Sequence, residues 1–386
     1  MYTQAHSANT AHPGHWATHR RLTFALNCTT AAVQMALRLG LLCGAVAVSP
    51  VLAQAGGEPH DAQSKSAQDA SASDVATLPT VTVQGQGGVV QTYSGGQVAT
   101  GGRVGLLGDK DFMETPFSTI TYTDGYIADQ QVQDIQGVIS RTDPAVFMSG
   151  IPGESNESYS IRGLPSNVGD VTINGLAGMA AYYRNSPEMF ERVEVLKGPS
   201  AMLGGMPPKG SAGGAINLVP KRAGNAPLTR LTGSYMSRSH LGGHLDLGRR
   251  FGEDKQFGIR FNGVYRNGET AVKTQDKRVA LASLGLDWRG DRARISADLY
   301  HGKDHANGLT RGITLAPGMS VPKPPKPDVS WNPPWAFYDS VDDGAMLRGE
   351  FDLTDKLMAY AAAGISKTRF SSNMGAAEVF NPAGDF

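Results

Sequence analysis

Gln256-Phe257-Gly258-Ile259-Arg260-Phe261-Asn262-Gly263-Val264-Tyr265-Arg266-Asn267 is the stretch whose reading decides the fold. Phe257, Ile259, Phe261, Gly263 and Tyr265 form one phase, apolar or small. Gly258, Arg260, Asn262 and Arg266 form the other, small or polar, with only Val264 against the trend. A period of two means an extended strand with one greasy and one wet face. The pattern recurs in Ala293, Ile295, Ala297 and Leu299 against Arg294, Ser296, Asp298 and Tyr300. It recurs again in Leu347, Gly349, Phe351 and Leu353 against Met346, Arg348, Glu350 and Asp352. Seven such segments follow Pro227: Leu228 to Arg238, Gly242 to Phe251, Gln256 to Asn267, Arg278 to Arg289, Ala293 to His301, Ala345 to Leu353 and Leu357 to Phe370.

Their connectors alternate in length after the second strand. Gly252 to Lys255, Gly290 to Arg292 and Thr354 to Lys356 are tight, whereas Gly268 to Lys277 and Gly302 to Gly344 are long. Short turns at one end and longer loops at the other predict an antiparallel transmembrane β-barrel of the outer-membrane type. A soluble β-sandwich also alternates, but its outward face would be charged rather than lined with Phe, Ile and Leu.

The rest of the chain fits an exported protein. It has 386 residues, 48 of them Gly, with 18% charged residues and 2 Cys, a composition that favours turn-rich β structure over helical bundles. Lys and Arg balance Asp and Glu at 35 each, so no basic field gathers nucleic acid. Residues 1–55 read as a secretory signal peptide: a ten-residue apolar run from Leu39 to Val48 follows Arg38, and small residues at Ala53 and Ala55 offer cleavage sites. Met35 is an alternative start to Met1. Cleavage after Ala53 removes Arg20, Arg21, Arg38 and both cysteines, leaving 32 basic against 35 acidic residues. No later run of roughly 18 apolar residues forms a membrane helix.

Residues 56–108 read as a flexible tether, poor in large apolar groups. Within it Leu78-Pro79-Thr80-Val81-Thr82-Val83-Gln84 is strand-prone and then broken by glycines, a peptide suited to adding a strand to another protein's sheet edge, or else a first strand of the next domain. Residues 109–222 change texture to a compact α+β domain. Strands are expected at Thr119 to Tyr122, Tyr159 to Arg162, Val171 to Ile173 and Val193 to Leu196, and helices at Val132 to Ser140 and from Ser186-Pro187.

This combination resembles the TonB-dependent outer-membrane receptors, in particular the ferric-siderophore branch of hydroxamate type. Leu78 to Val83 looks like a TonB box. Tyr159-Ser160-Ile161-Arg162-Gly163, Asp170 to Leu176, Glu191 to Ala201 and Gly213 to Lys221 are similar, in order, to four blocks of the family's plug domain. The resemblance implies an α+β plug domain followed by antiparallel transmembrane β-barrel strands, with residues 228–386 as the N-terminal part of the barrel. It implies import of a ferric siderophore across the cell outer membrane by a monomer, contacts with outer-membrane lipid, and TonB with its inner-membrane energising complex as partner. A ferric siderophore is then the ligand, with no covalently bound cofactor, no resident metal and no nucleic acid.

Site residues follow from the same resemblance. Leu78, Pro79, Thr80, Val81, Thr82 and Val83 would bind TonB. Ser166, Asn167, Met179, Tyr182, Tyr183 and Arg184 would contact ligand at the plug apex, where the tyrosines offer flat amphipathic surface. Arg162 and Lys197 would face the barrel wall and its carboxylates. On the long loop, His301, Asp304 and His305 raise the question of a metal site, and Trp331, Trp335, Phe337 and Tyr338 read as ligand mouth or interfacial girdle. No catalytic constellation appears, so no enzyme is expected. The spacing from Ala55 to Leu78 leaves no room for a signalling domain.

A closed barrel of the family has about 22 strands, so seven fall short by roughly 350 residues. An open sheet leaves two edges that lipid cannot satisfy, and the chain is therefore expected to be an incomplete form. Two rival readings stand beside transport of a ferric siderophore. One is a soluble exported binding protein with a plug-like domain. The other is a receptor of the same architecture for cobalamin or a nickel chelate.

Overall fold

Strands dominate the computed structural model, which describes residues 90–150, 153–167, 170–205, 211–323, 326–330, 332–354, 357–375, 378–379 and 381. Residues 1–55, read above as a signal peptide, and the peptide at residues 78–84 lie outside the described residues, as does Trp331.

The first part is the α+β domain. Its elements are β1 (Gly101–Arg103), β2 (Asp109–Asp111), β3 (Ser118–Thr123), α1 (Asp124–Gln130), α2 (Ile135–Ser140), β4 (Val146–Met148), β5 (Ser158–Ile161), β6 (Leu164–Asn167), β7 (Thr172–Ile173), β8 (Leu176–Ala177), β9 (Phe190–Lys197), α3 (Ala201–Gly204) and β10 (Gly214–Pro220). A five-stranded sheet runs in the order β3-β9-β10-β7-β8, and β4-β5-β6 form a second. Both longer helices start on side-chain caps: Thr123 accepts from the Tyr126 N–H at 3.2 Å, and Asp134 from the Gly137 N–H at 2.8 Å. The helix expected from Ser186 is one 3₁₀ turn, Pro187–Met189, because β9 begins directly at Phe190. Phe190, Val193 and Val195 of β9 are buried against Tyr122, Ile135, Val138, Ile139, Ile216 and Leu218. Gly214 must be glycine, since an added Cβ would lie 2.2 Å from the Leu196 carbonyl oxygen.

After Pro227 seven antiparallel strands pair in chain order: β11 (Leu228–Met236), β12 (His240–Phe251), β13 (Phe257–Glu269), β14 (Asp276–Arg289), β15 (Ala293–Asn307), then, past the short β16 (Thr314–Leu315), β17 (Phe337–Thr354) and β18 (Leu357–Asn373). A last short strand, β19 (Glu378–Val379), pairs with β16. All seven alternating segments are strands, but several run longer than their apolar phase. β15 pairs with β17 from Ala293↔Phe351 to Asn307↔Phe337, so the connector expected from Gly302 to Gly344 is a loop only over 308–336. The connector at Gly268 to Lys277 likewise shrinks to 270–275. The hydrogen-bonded ladder continues where the outward side chains turn polar, and a polarity pattern cannot see backbone pairing.

Register assigns the faces. Val264, Leu281, Tyr300 and Met346 pack into the core of the α+β domain, so their phase points inward. The opposite phase carries the exposed Leu231, Leu241, Phe257, Ile259, Tyr265, Ile295, Leu347 and Phe351. A transmembrane β-barrel needs this division, with fatty residues on the outside and polar ones within.

Phe190 is fully buried at the centre of the domain, whereas Leu231 is 78% exposed on the outer face. Phe190→Ala is expected to cost about 3–5 kcal/mol and Leu231→Ala under about 0.5 kcal/mol. Thermal unfolding in detergent followed by circular dichroism checks this, and equal losses would contradict the assignment of faces.

Candidate functional site

The loop after β8 meets the loop end of the sheet, as do Gly153 and Glu154 beside it. It is closed on itself: the Ala181 N–H donates to Asn185 Oδ1 at 3.0 Å, and Asn185 Nδ2 donates to the Ala181 carbonyl at 2.9 Å. Glu157 ties it inward, accepting from the Asn185 N–H with one carboxylate oxygen and from the Gln136 N–H with the other, both at 3.0 Å. The loop and helix α2 thus hang on one buried carboxyl.

Arg184 extends from this loop into the sheet. It donates to the Asp134 carboxylate at 3.2 Å and to the Glu154 carbonyl at 3.1 Å, and lies 3.5 Å from Asp304 on β15. Asp304 in turn accepts from the Tyr338 hydroxyl at 2.6 Å and faces Lys277 at 3.3 Å. Burial works against the Arg184 charge, but Tyr338, Glu157, Asp304 and Asp134 outweigh it and hold the guanidinium firmly protonated. Burial is also the largest influence on Glu157 and, with Asp134 adding to it, pushes the carboxyl up to about 7, while Arg184 and the two N–H donors pull it back.

An aromatic surface adjoins this node. Tyr183 stacks on Phe370 of β18 with ring centroids 3.8 Å apart, and Phe370 lies parallel to Tyr338 at 6.3 Å. Tyr182 meets Tyr183 edge-on at 5.0 Å and is 47% exposed. Trp335, at the end of the 308–336 loop, is also exposed.

The structure therefore divides the six residues expected to meet ligand. Tyr182 and Tyr183 lie on the accessible aromatic surface. Met179 is buried against the wall instead: its carbonyl accepts from the Tyr300 hydroxyl at 2.7 Å, and its side chain fills the space over Gly364. Arg184 is a wall contact too. Ser166 is buried in β6, and Asn167 stands opposite Ser158 by register.

The two residues expected to face barrel carboxylates stand elsewhere. Lys197 pairs with Asp143 of its own domain at 2.8 Å, and among the described residues Arg162, exposed and in the left-handed region at φ 53°, forms no ion pair. Other pairs hold the domain to the wall. Lys221 donates to Asp246 at 3.0 Å, Arg222 grips both oxygens of Asp298, and Glu188 meets Arg266. Arg260 completes the Asp246 group with bonds of 2.5 and 2.8 Å. A usable signal lay in the strands: Asp246, Arg260, Arg266 and Asp298 are charges on the phase opposite the apolar one. Asp304 and Tyr338 were hidden because their segments read as loop. The same correction dissolves the metal question, since strand alternation turns His301 and His305 outward and Asp304 inward.

Residues 111–215 match the family model of the TonB-dependent receptor plug domain. Fold and match together make residues 111–215 a plug domain of the TonB-dependent receptor kind, and antiparallel strands follow it. Among curated proteins the chain is similar to the ferrichrome receptor FcuA of Yersinia enterocolitica, 39% identical over 81% of this chain and 42% of that protein. It is also similar to the ferrichrome outer membrane transporter/phage receptor of Escherichia coli K12, 28% identical over 53% of this chain and 27% of that one. Among solved structures, BauA, the ferric preacinetobactin receptor of Acinetobacter baumannii, superposes with a TM-score of 0.73 at 53% identity, over 75% of this chain and 43% of that one. The chain thus spans less than half the length of these relatives.

Two outcomes follow from the node. Arg184→Met leaves the partly buried Asp134 without its cation and Asp304 with Lys277 alone, and is expected to cost about 1.5–3 kcal/mol in thermal stability, against under about 1 kcal/mol for a surface pair such as Arg238 with Glu269. Glu157 keeps its proton to higher pH when folded than when unfolded, so its contribution is present below about 4.5 and is lost as pH rises to about 7, a fall of about 3 kcal/mol. A melting-temperature series from pH 4 to 8 should show that slope, and Glu157→Gln should flatten it.

Proposed function

We propose that the protein serves as an outer-membrane receptor that takes up a ferric siderophore, energised by TonB. The observation that carries this reading is a plug domain seated on the inner face of lipid-suited strands by ion pairs, with an exposed aromatic surface at the loop end. Tyr182, Tyr183 and the Phe370 stack give a rigid amphipathic platform for the rim of a chelate. Arg184 and Met179 position that platform from beneath and do not touch ligand. Leu78, Pro79, Thr80, Val81, Thr82 and Val83 would add a strand to the TonB sheet edge from the periplasmic side. The relatives' named ligands, ferrichrome and preacinetobactin, differ, and the reading therefore goes as far as the ferric-siderophore class.

Nothing in this scheme calls for covalent chemistry. Binding supplies specificity, and force on the tether supplies displacement of the plug.

Uptake of radiolabelled iron by cells carrying the receptor tests the reading. Deleting residues 78–83 is expected to abolish uptake while leaving surface binding intact. Tyr183→Ala should weaken binding roughly ten-fold through loss of the stack. Unchanged uptake after the deletion would overturn the proposal.

A further inference from the structure

The aromatic platform straddles a boundary. Tyr183 belongs to the plug and Phe370 to β18 of the wall, so their stack at 3.8 Å exists only while plug and wall keep their relative height. One tie at this level is electrostatic, with Arg184 lying 3.5 Å from Asp304. An ion pair acts over several ångströms and tolerates sliding, whereas a gap of about 1 Å already forfeits much of a ring contact.

A second tie joins backbone to backbone. Gln275 closes the connector between β13 and β14 and is 3% exposed. Its Nε2 donates to the Gly153 carbonyl of the plug and to the Gly308 carbonyl just past β15, both at 3.1 Å, while its Oε1 accepts from the Thr270 hydroxyl at 2.8 Å. Carbonyls only accept, so the amide has one orientation here, and in it both N–H groups and the oxygen are satisfied. The three segments approach as closely as backbones permit. Gly153 and Gly308 lie in the left-handed region, at φ 86° and 67°. A Cβ on Gly153 would strike the Gln275 amide, and one on Gly308 the Thr274 carbonyl.

Each gripped carbonyl leads to one ring of the stack. From Gly153 the plug chain runs on to Glu157, whose N–H donates to the Tyr183 carbonyl at 3.0 Å, and on the way the Glu154 carbonyl accepts from Arg184. On the other side the Gly308 N–H donates to the Ala336 carbonyl at 2.7 Å. Leu309, Ala336 and Tyr338 are buried together there, and Phe370 packs against them. We propose that Gln275 is a positioning residue for ligand binding: its amide fixes plug against wall at the height where Tyr183 meets Phe370. Buried itself, it touches no ligand. The inference rests on the siderophore reading above and adds a residue to it. A chelate seated on the stack leaves slowly because both rings are in place before it arrives. Displacement of the plug breaks the bond to Gly153 and parts the rings in one movement, so the seat is lost as the plug moves.

The test uses the receptor purified from membranes in detergent, first without ligand. Hydrogen exchange read by mass spectrometry should be about ten-fold faster in Gln275→Met at residues 153–157 and 181–185, with β9 and β10 unchanged. Ferrioxamine B, a ferric trihydroxamate, is then the binding probe, with a ferric tricatecholate beside it. Dissociation of whichever binds should be about five-fold faster, with association unchanged. In a Tyr183→Ala background, where the stack is already gone, Gln275→Met should cost nothing more. Thr270→Val removes only the partner of the amide oxygen; it should give about two-fold and keeps the test open should Gln275→Met misassemble. Lys273→Met breaks the exposed Lys273–Asp328 pair of the same connector and should change neither measurement. Loosening confined to residues 270–275 and 308–310, or a further five-fold loss on top of Tyr183→Ala, would overturn the proposal. A wild-type receptor that binds neither chelate overturns the siderophore reading instead, and the exchange pattern then decides the role of Gln275 by itself.

Discussion

Buried charge on the inner face of the sheet governs the rest of the structure. Asp246, Arg260, Arg266 and Asp298 lie where neither lipid nor bulk water reaches them, and each needs a partner of opposite sign nearby. The plug delivers Lys221, Arg222 and Glu188 to those positions. Removing charges from water costs several kcal/mol per ion, so such pairs add little net stability, but a misplaced plug would leave them single and pay that cost in full. The pairs therefore set where the plug sits more than how tightly it holds.

The same constraint explains the division of the strands. Facing a folded plug, the inner phase can carry Asp, Arg, Asn and Tyr. The exposed outer phase carries mostly apolar groups, such as Phe257, Ile259, Leu347 and Phe351, until the strand rises beyond that apolar band. Past that height both phases are polar while the backbone ladder continues to Asn307, Phe337 and Asn373. Arg184, Asp304, Tyr338 and Lys277 lie at this level, and the aromatic stack on Phe370 rests against them. The accessible platform and the buried charge node are thus two sides of one contact between the loop after β8 and the sheet.

Order in the plug follows from a few local devices. Asp134 caps α2 with one oxygen and holds Arg184 with the other, so the helix start and the wall contact share a carboxylate. Glu157 gives each of its oxygens to a different backbone N–H. These groups are short-range in geometry but long-range in sequence, which is why the apex is rigid without being strand or helix.

Alternation of apolar and polar residues, together with the block from Glu191 to Ala201, was enough for the amino-acid sequence to determine the seven strands of the large sheet after Pro227 and the α+β plug domain before it. Periodicity is local, and a period of two survives in any neighbourhood. Strand length escaped it, since polar outward residues such as His301, Lys303 and His305 interrupt the pattern without interrupting the hydrogen bonds. Pairing escaped it as well. Lys197 turned to Asp143, while Met179 and Arg184 turned to the wall, because a side chain's partner depends on which residues the fold brings within a few ångströms. Those distances between distant positions, from Arg184 to Asp304 and from Lys221 to Asp246, were decided only by the tertiary structure.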